Sequence, residues 1–511
     1  MEVRVPWLER WNRTLSAREV WQLCLLALGL HVLPLILADY PYLDDVWRSQ
    51  LSGIWQDPND SWAGQGRVLI EWFYAVIGFS AGALNLFPWP VLVAAVMTAG
   101  AMAGLVRHYF DAPRVTCLFV VWPLWFNPFF LQNLSYQYDA PVMALALAAC
   151  MAAITLRGGR RYTFVGSSVL VAIAIGLYQV SINVFAGLCC IEIVRLVLAQ
   201  ERLAVVCREV SIRLGQVLCG CLLYVLTAYQ LMTVARDTLL PIDAQWPGEM
   251  VRRGKAVVEH VGLLITPETC WFFLGLIVLA LLALVAASKQ VLCCRDRPGA
   301  ERLALVVLLL LSVGAVLLLI PGMTLLFLTY NDGARLLLGA GPAWVLLALL
   351  ARHWLVDKQP ILAWLLAIPV LFMLTFSFAY GRVLVAKKEF EQLITFSIAQ
   401  AISSTPTLYE ARRFHIVPSS SSAHWLPAAE GAFRSMPALD YVLNNHALVL
   451  AEMMPRVGMP AFGGRSPMER REILARSPTP ILDNKFFAIH RCGDIAYVLM
   501  KQPFEDPRFI K

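Results

Sequence analysis

Long apolar blocks separated by short polar stretches occupy most of the chain, and only the last quarter breaks the pattern. A helix crosses a hydrocarbon core of about 30 Å with about 20 apolar residues, so blocks of that length read as spans. The pattern predicts about eleven, at 20–38, 86–106, 115–131, 139–156, 162–179, 183–200, 213–235, 268–287, 302–320, 335–351 and 360–380. The first block is too long for the core of a secretory leader and lacks a small-residue cleavage pattern, so it reads as an uncleaved span. Residues 67–83 are also apolar, but counting them as a crossing would reverse every later loop. They predict a helix lying in the interface or re-entering it, with Arg67 and Glu71 one turn apart on one face.

Charge orients this array. Arg4, Arg10, Arg13 and Arg18 precede the first span, and Lys and Arg concentrate in loops on that same side, which places the amino terminus in the cytoplasm. The loop 236–267 departs locally, with Arg236, Arg252, Arg253 and Lys255 on the opposite side. After Tyr380 the composition becomes mixed. Residues 387–403 predict a helix, 413–417 a strand, and 486–500 a hairpin closed by a CysGlyAsp turn at 492–494. An odd number of spans sets this small α/β domain across the membrane from the amino terminus, periplasmic in a bacterium. The expected fold is thus an all-α polytopic membrane protein with a membrane domain at 1–380 and a soluble domain at 381–511. The inner membrane is the expected location.

Composition agrees and narrows the function. The 511 residues are 59% hydrophobic and 15% charged, against about 25% charged in soluble chains. The net charge of +7 is a topology signal here and does not point to nucleic acid. The twelve cysteines, with adjacent pairs Cys189-Cys190 and Cys293-Cys294, form no disulfide framework or zinc spacing. No phosphate-binding glycine loop, dinucleotide fingerprint or HExxH motif is present, which argues against a nucleotide-driven machine.

Polar residues gather in the loops of the predicted outer side. Asp44-Asp45, in the first of them (39–66), is the central pair. One carboxylate at the membrane lip can take a proton from an attacking hydroxyl; its neighbour can orient the acceptor or hold a divalent cation, although no complete ligand set is visible. Equally, Asp44 can be a helix cap. Arg67 and Arg335 suit phosphate, whose oxygens match a guanidinium fork, or else snorkel to headgroups. Tyr136 and Asp139 stand at the mouth of one span, and Gln179 and Asn183 flank a tight turn. Tyr330, Asn331 and Asp332 precede Arg335. All of these, with Glu71, are candidate substrate contacts; Asp139 and Asp332 also suit helix caps. His31, in mid-span, reads as an interhelical donor. The aromatic clusters at 87–89 and 122–130 read as interface belts.

Three stretches carry a resemblance: YLDDVWR followed by GQGRVLIE, NLSYQYDAPVMALA, and GLYQVSINVF. Together, over about residues 20–200, they resemble the membrane-embedded glycosyltransferases of the GT-C fold, and among them the phage-type serotype-converting O-antigen glucosyltransferases (Gtr type II). YNDGAR at 330–335 extends the likeness. The resemblance implies inverting transfer of glucose from undecaprenyl-phosphate glucose to a lipid-linked O-antigen or lipopolysaccharide saccharide on the periplasmic face. Asp44 or Asp45 would be the base, and Arg67 or Arg335 would stabilise the leaving lipid phosphate. Implied partners are that donor, that acceptor, membrane lipid, and a companion glucosyl-lipid synthase and flippase.

Competing readings are a transferase using another polyprenyl-phosphate sugar (aminoarabinose or mannose) and a lipid-linked sugar transporter. A transporter usually shows repeated halves and ionisable residues at mid-membrane; no repeat is visible here.

Overall fold

The computed structural model describes residues 13–50, 61–80, 82, 84–234, 238–419, 426–445, 448–459, 462–463 and 466–501. Arg4, Arg10 and Arg236, used above as charge markers, lie outside them. Every predicted span has a helical counterpart, and eight helices are long and apolar enough to cross a membrane. The first, Ala17–Ala38, starts at a capping box in which Ser16 and Glu19 satisfy each other's orphan amides.

The departures from the predicted spans have local causes. The block at 115–131 is broken into Val115–Val121, Pro123–Phe126 and Phe130–Ser135, because Pro123 and Pro128 lack the N–H that a continuous helix needs. Its aromatic run is no interface belt. Trp125, Phe126, Phe129 and Phe130 are buried in the core, whereas Trp89 is exposed, as a belt residue should be. The span expected at 213–235 starts earlier, as Leu203–Leu226. Its charges are absorbed rather than excluded: Arg213 pairs with Glu209 at 2.8 Å and donates to the carbonyls of Ala153 and Ile154. The local break in the charge rule also has a reason. Buried Arg253 donates to the carbonyls of Leu325, Phe327 and Leu328, so it serves packing and not topology.

Helix Val68–Gly78, too short to span, has Trp72, Val76 and, just past its end, Phe79 exposed and Ile70, Glu71 and Tyr74 buried. The last long helix, Ala367–Ser403, runs through residue 381 without interruption. It carries a buried Lys387–Glu391 pair at 2.9 Å, completed by the Tyr40 hydroxyl. Breaking such a pair from one side typically costs about 3–5 kcal/mol. Further along, Ile394, Ile398 and Ile402 pack under a sheet.

That sheet has five strands: β1 (Arg413–Val417), β2 (Phe462–Gly463), β3 (Leu482–Asp483), β4 (Phe487–Cys492) and β5 (Ile495–Met500). The order is β2-β1-β5-β4-β3, with β1 parallel to β5 and β4–β5 an antiparallel hairpin. The predicted strand and hairpin are both present. Gly493 turns the hairpin at φ +65°, a conformation in which a side chain is costly.

Candidate active site

The chain leaves the first long helix through Asp39 in the left-handed region and enters the loop that carries the acid pair. Tyr40 and Tyr42 are buried. Leu43 sits at φ 43°, ψ −102°, a strained conformation for a branched side chain, and such residues cluster where geometry is functional. It launches the one-turn helix Asp44–Arg48.

The two aspartates have different surroundings. Asp45 is buried, and its carboxyl accepts the backbone N–H of Tyr42 (2.8 Å), Gln137 (2.8 Å) and Tyr138 (3.1 Å). It therefore clasps the first loop onto the turn at 136–139. Burial pushes its pKa up to about 8, against the pull of those three amides. Asp44 remains half-buried, and its charge reaches Tyr42, Tyr136 and Arg335. The three amides on Asp45 occupy most of the lone pairs that a divalent cation shared with Asp44 would draw on. Among the described residues no group of three metal-ligating side chains forms.

Arg335 is held from several sides. Its Nη1 donates to the Tyr136 hydroxyl at 2.7 Å, its backbone N–H to Gln132 at 2.6 Å, and its carbonyl accepts from Asn133 and Tyr178. Gln132 also donates to the Tyr42 hydroxyl at 3.2 Å, and the Tyr42 and Tyr136 rings meet edge to face at 4.7 Å. Burial disfavours the Arg335 cation, but Tyr136, Tyr178 and Asp44 outweigh it and raise its pKa. Arg67 lies beyond Tyr178, over that ring at 5.2 Å, and donates to Gln179 at 2.8 Å. Burial pulls its pKa down, opposed chiefly by Asp139. One rim thus gathers Asp44, Tyr136, Arg335, Tyr178, Arg67 and Gln179.

The other candidates have different duties. Asp139 makes no cap hydrogen bond; it accepts from the Trp62 indole at 2.9 Å. Glu71 accepts the Ala63 N–H at 2.7 Å, tying the loop to helix Val68–Gly78, so it does not pair with Arg67. Asn183 donates to the Pro321 carbonyl at 3.2 Å and holds a distant turn. Tyr330 lies against Arg253, 5.1 Å from its ring centroid, and Asn331 closes a turn on the Gly333 N–H. The Asp332 carbonyl accepts from Tyr441 at 2.5 Å. His31 stacks on Phe126 at 4.5 Å within the core.

Sequence reasoning assigned no role to Tyr42, Gln132, Tyr178 or Arg48, although all four lie in or beside the quoted motifs. Buried Arg48 lies over the Trp47 and Trp62 rings, at 4.8 and 4.5 Å. Leu443 and Asn445 were out of reach: the Leu443 carbonyl accepts from the Tyr42 hydroxyl, and Asn445 donates to that of Tyr40 at 2.9 Å. A separation of some four hundred positions leaves no sequence signal.

Comparison with known proteins bears on this arrangement. A protein of Salmonella phage P22, described as an uncharacterized 55.3 kDa protein in the gtrB 5' region, is 26% identical over 158 residues. That stretch is 31% of this chain and 31% of the phage protein. No solved structure matches. Residues 33–330 match the family described as Glucosyl transferase GtrII; the match takes in Asp44, Arg67, Tyr136 and Tyr178 and ends just before Arg335. Because it spans more than half of the 511 residues, this chain belongs to the glucosyl transferase GtrII family.

Proposed function

We propose that the protein is a GT-C-like glucosyltransferase of about eleven spans in a bacterial inner membrane, with residues 381–511 forming an outer domain on the periplasmic face. It moves glucose from undecaprenyl-phosphate glucose to a lipid-linked O-antigen saccharide. An acceptor hydroxyl attacks the anomeric carbon from the face opposite the phosphate. The new C–O bond forms as the bond to the phosphate oxygen breaks, and the configuration inverts. Asp44 takes the hydroxyl proton, and the leaving lipid phosphate keeps the electron pair, stabilised by Arg335 with Arg67 behind it. Asp45 is a positioning residue, and no step requires a metal.

The observation that carries this reading is the asymmetry of the acid pair. Asp45 is consumed by three amides, whereas Asp44 is half-buried and electrostatically coupled to Arg335 and Tyr136. A proton acceptor beside a desolvated cation is what a hydroxyl nucleophile and an anionic leaving group need.

The test is transfer by purified protein in nanodiscs, offered undecaprenyl-phosphate glucose, mannose or aminoarabinose in parallel, with an O-antigen lipid as acceptor. Transfer of glucose, lost in Asp44→Asn, is the expected result. Transfer of another sugar would move the reading to that donor. Movement of labelled lipid between leaflets with no product would replace the transferase by a transporter.

A further inference from the structure

A cavity of about 470 Å³ opens between the membrane bundle and the carboxy-terminal region, lined by His260, Asp332, Phe433, Asp440, Tyr441 and Asn444 among others. Three chain segments far apart in sequence make it. Helix Trp246–Gly262 brings His260, the loop before Arg335 brings Asp332, and the stretch around helix Ala438–Leu443 supplies the rest.

We propose that this cavity seats the acceptor saccharide, holding a neutral, hydroxyl-rich glycan while its nucleophilic hydroxyl reaches Asp44. The inference rests on the transferase reading and adds to it the place and chemistry of the second substrate.

The lining fits a sugar and not the donor's phosphate. Among the described residues no lysine or arginine lines the cavity, whereas two carboxyls, Asp332 and Asp440, do. An anionic headgroup would be repelled there. Sugar hydroxyls donate readily to carboxylates and accept from an amide such as Asn444. Leu263, Phe433 and Pro437 provide apolar wall for the C–H faces of pyranose rings. His260 stacks on Tyr441 at 4.2 Å, and its Nδ1 is buried without a hydrogen-bond partner. Burial lowers the His260 pKa against the pull of Asp332 and Glu259, which disfavours a cation there.

Position supports the same ligand. The cavity shares a wall with the site that holds Arg335. A carbon added at Gly333 would come 3.1 Å from the Asn444 amide and 3.6 Å from Gln132, and Gln132 binds the Arg335 N–H. Leu443, beside Asn444, accepts from the Tyr42 hydroxyl, and Tyr42 lies two residues from Asp44. The cavity wall is thereby tied by one hydrogen bond to the loop that carries the proposed base. The Tyr441 hydroxyl, bonded to the Asp332 carbonyl, fixes the helix against the loop.

The experiment measures transfer kinetics of the full chain in nanodiscs, varying donor and O-antigen lipid separately, with Asp440→Asn, Asn444→Ala and Tyr441→Phe. Loss of one hydrogen bond to a bound ligand is worth about tenfold in affinity. The expected result is an acceptor KM raised about tenfold in Asp440→Asn or Asn444→Ala, with donor KM and kcat nearly unchanged. Unchanged acceptor KM in both variants, with normal thermal stability, overturns the proposal. A second measurement separates it from the transferase reading: saturation-transfer NMR with the delipidated O-antigen oligosaccharide. Signal in the wild type that falls in Asp440→Asn upholds the saccharide seat even if no donor supports transfer. No signal at millimolar oligosaccharide, or signal untouched by these substitutions, counts against it.

Discussion

Substituting the two adjacent aspartates one at a time should give opposite phenotypes. Asp45→Ala removes the acceptor for three buried N–H groups, those of Tyr42, Gln137 and Tyr138. Each orphaned buried donor costs about 1–3 kcal/mol, so the loss is about 3 kcal/mol even at the low end. That is a large share of a net stability of about 5–15 kcal/mol. Asp45→Asn keeps one acceptor oxygen, and its loss should be about 1–3 kcal/mol. Asp44 accepts none of those three amides, so Asp44→Asn should cost much less stability than Asp45→Ala while transfer falls about 10²–10⁴-fold. The assay pairs initial rates with thermal unfolding of the same nanodisc preparations, followed by tryptophan fluorescence. An Asp45→Ala protein that melts at the wild-type temperature, or a well-folded Asp44→Asn protein with full activity, would refute the assignment of roles.

Stability should also report Asp45 through pH. Its folded pKa, about 8, lies above the ordinary carboxyl value, so the folded state holds the proton where the unfolded chain has lost it. This contribution therefore falls as pH rises from about 4 through about 8, and Asp45→Asn should flatten that part of the melting-temperature profile. Arg335→Ala should lower kcat about 10²–10³-fold, the typical cost of removing a transition-state charge partner, while Arg335→Lys, which keeps the charge but loses the fork, should retain more; equal losses would show that geometry alone matters. Gly339→Ala should reduce folded yield sharply, because the new carbon would meet the Leu319 carbonyl oxygen at 1.9 Å, a backbone contact that cannot move aside. Replacing Trp72, Val76 and Phe79 together by Gln should weaken seating of the Val68–Gly78 helix in the bilayer, seen as higher accessibility of that helix to water-soluble quenchers. An unchanged quenching pattern would mean that the face does not meet lipid.

Apolar block length determined the helical membrane architecture, because a bilayer makes the same demand of every crossing: about 20 apolar residues with their amides satisfied internally. Strand-forming runs and turn chemistry did the same for the β4–β5 hairpin, whose contacts are local; β1 was legible as a strand, but its parallel pairing with β5 was not. The short motifs also disclosed the family and most of the rim, since Asp44, Arg67, Tyr136, Gln179 and Arg335 all fall within them. Tertiary structure decided what those residues do. Nothing in the adjacent letters of Asp44-Asp45 distinguishes a clasp from a base; the difference arises when the 136–139 turn folds over one carboxyl and leaves the other at the rim. The same holds for Asp139 and Asn183, motif residues whose partners, the Trp62 indole and the Pro321 carbonyl, are fixed by packing. The cavity of His260, Asp332 and Tyr441 left no trace in the sequence. Long-range contacts depend on where whole helices come to rest, and that is settled by the summed fit of buried surfaces and not by any local run of residues.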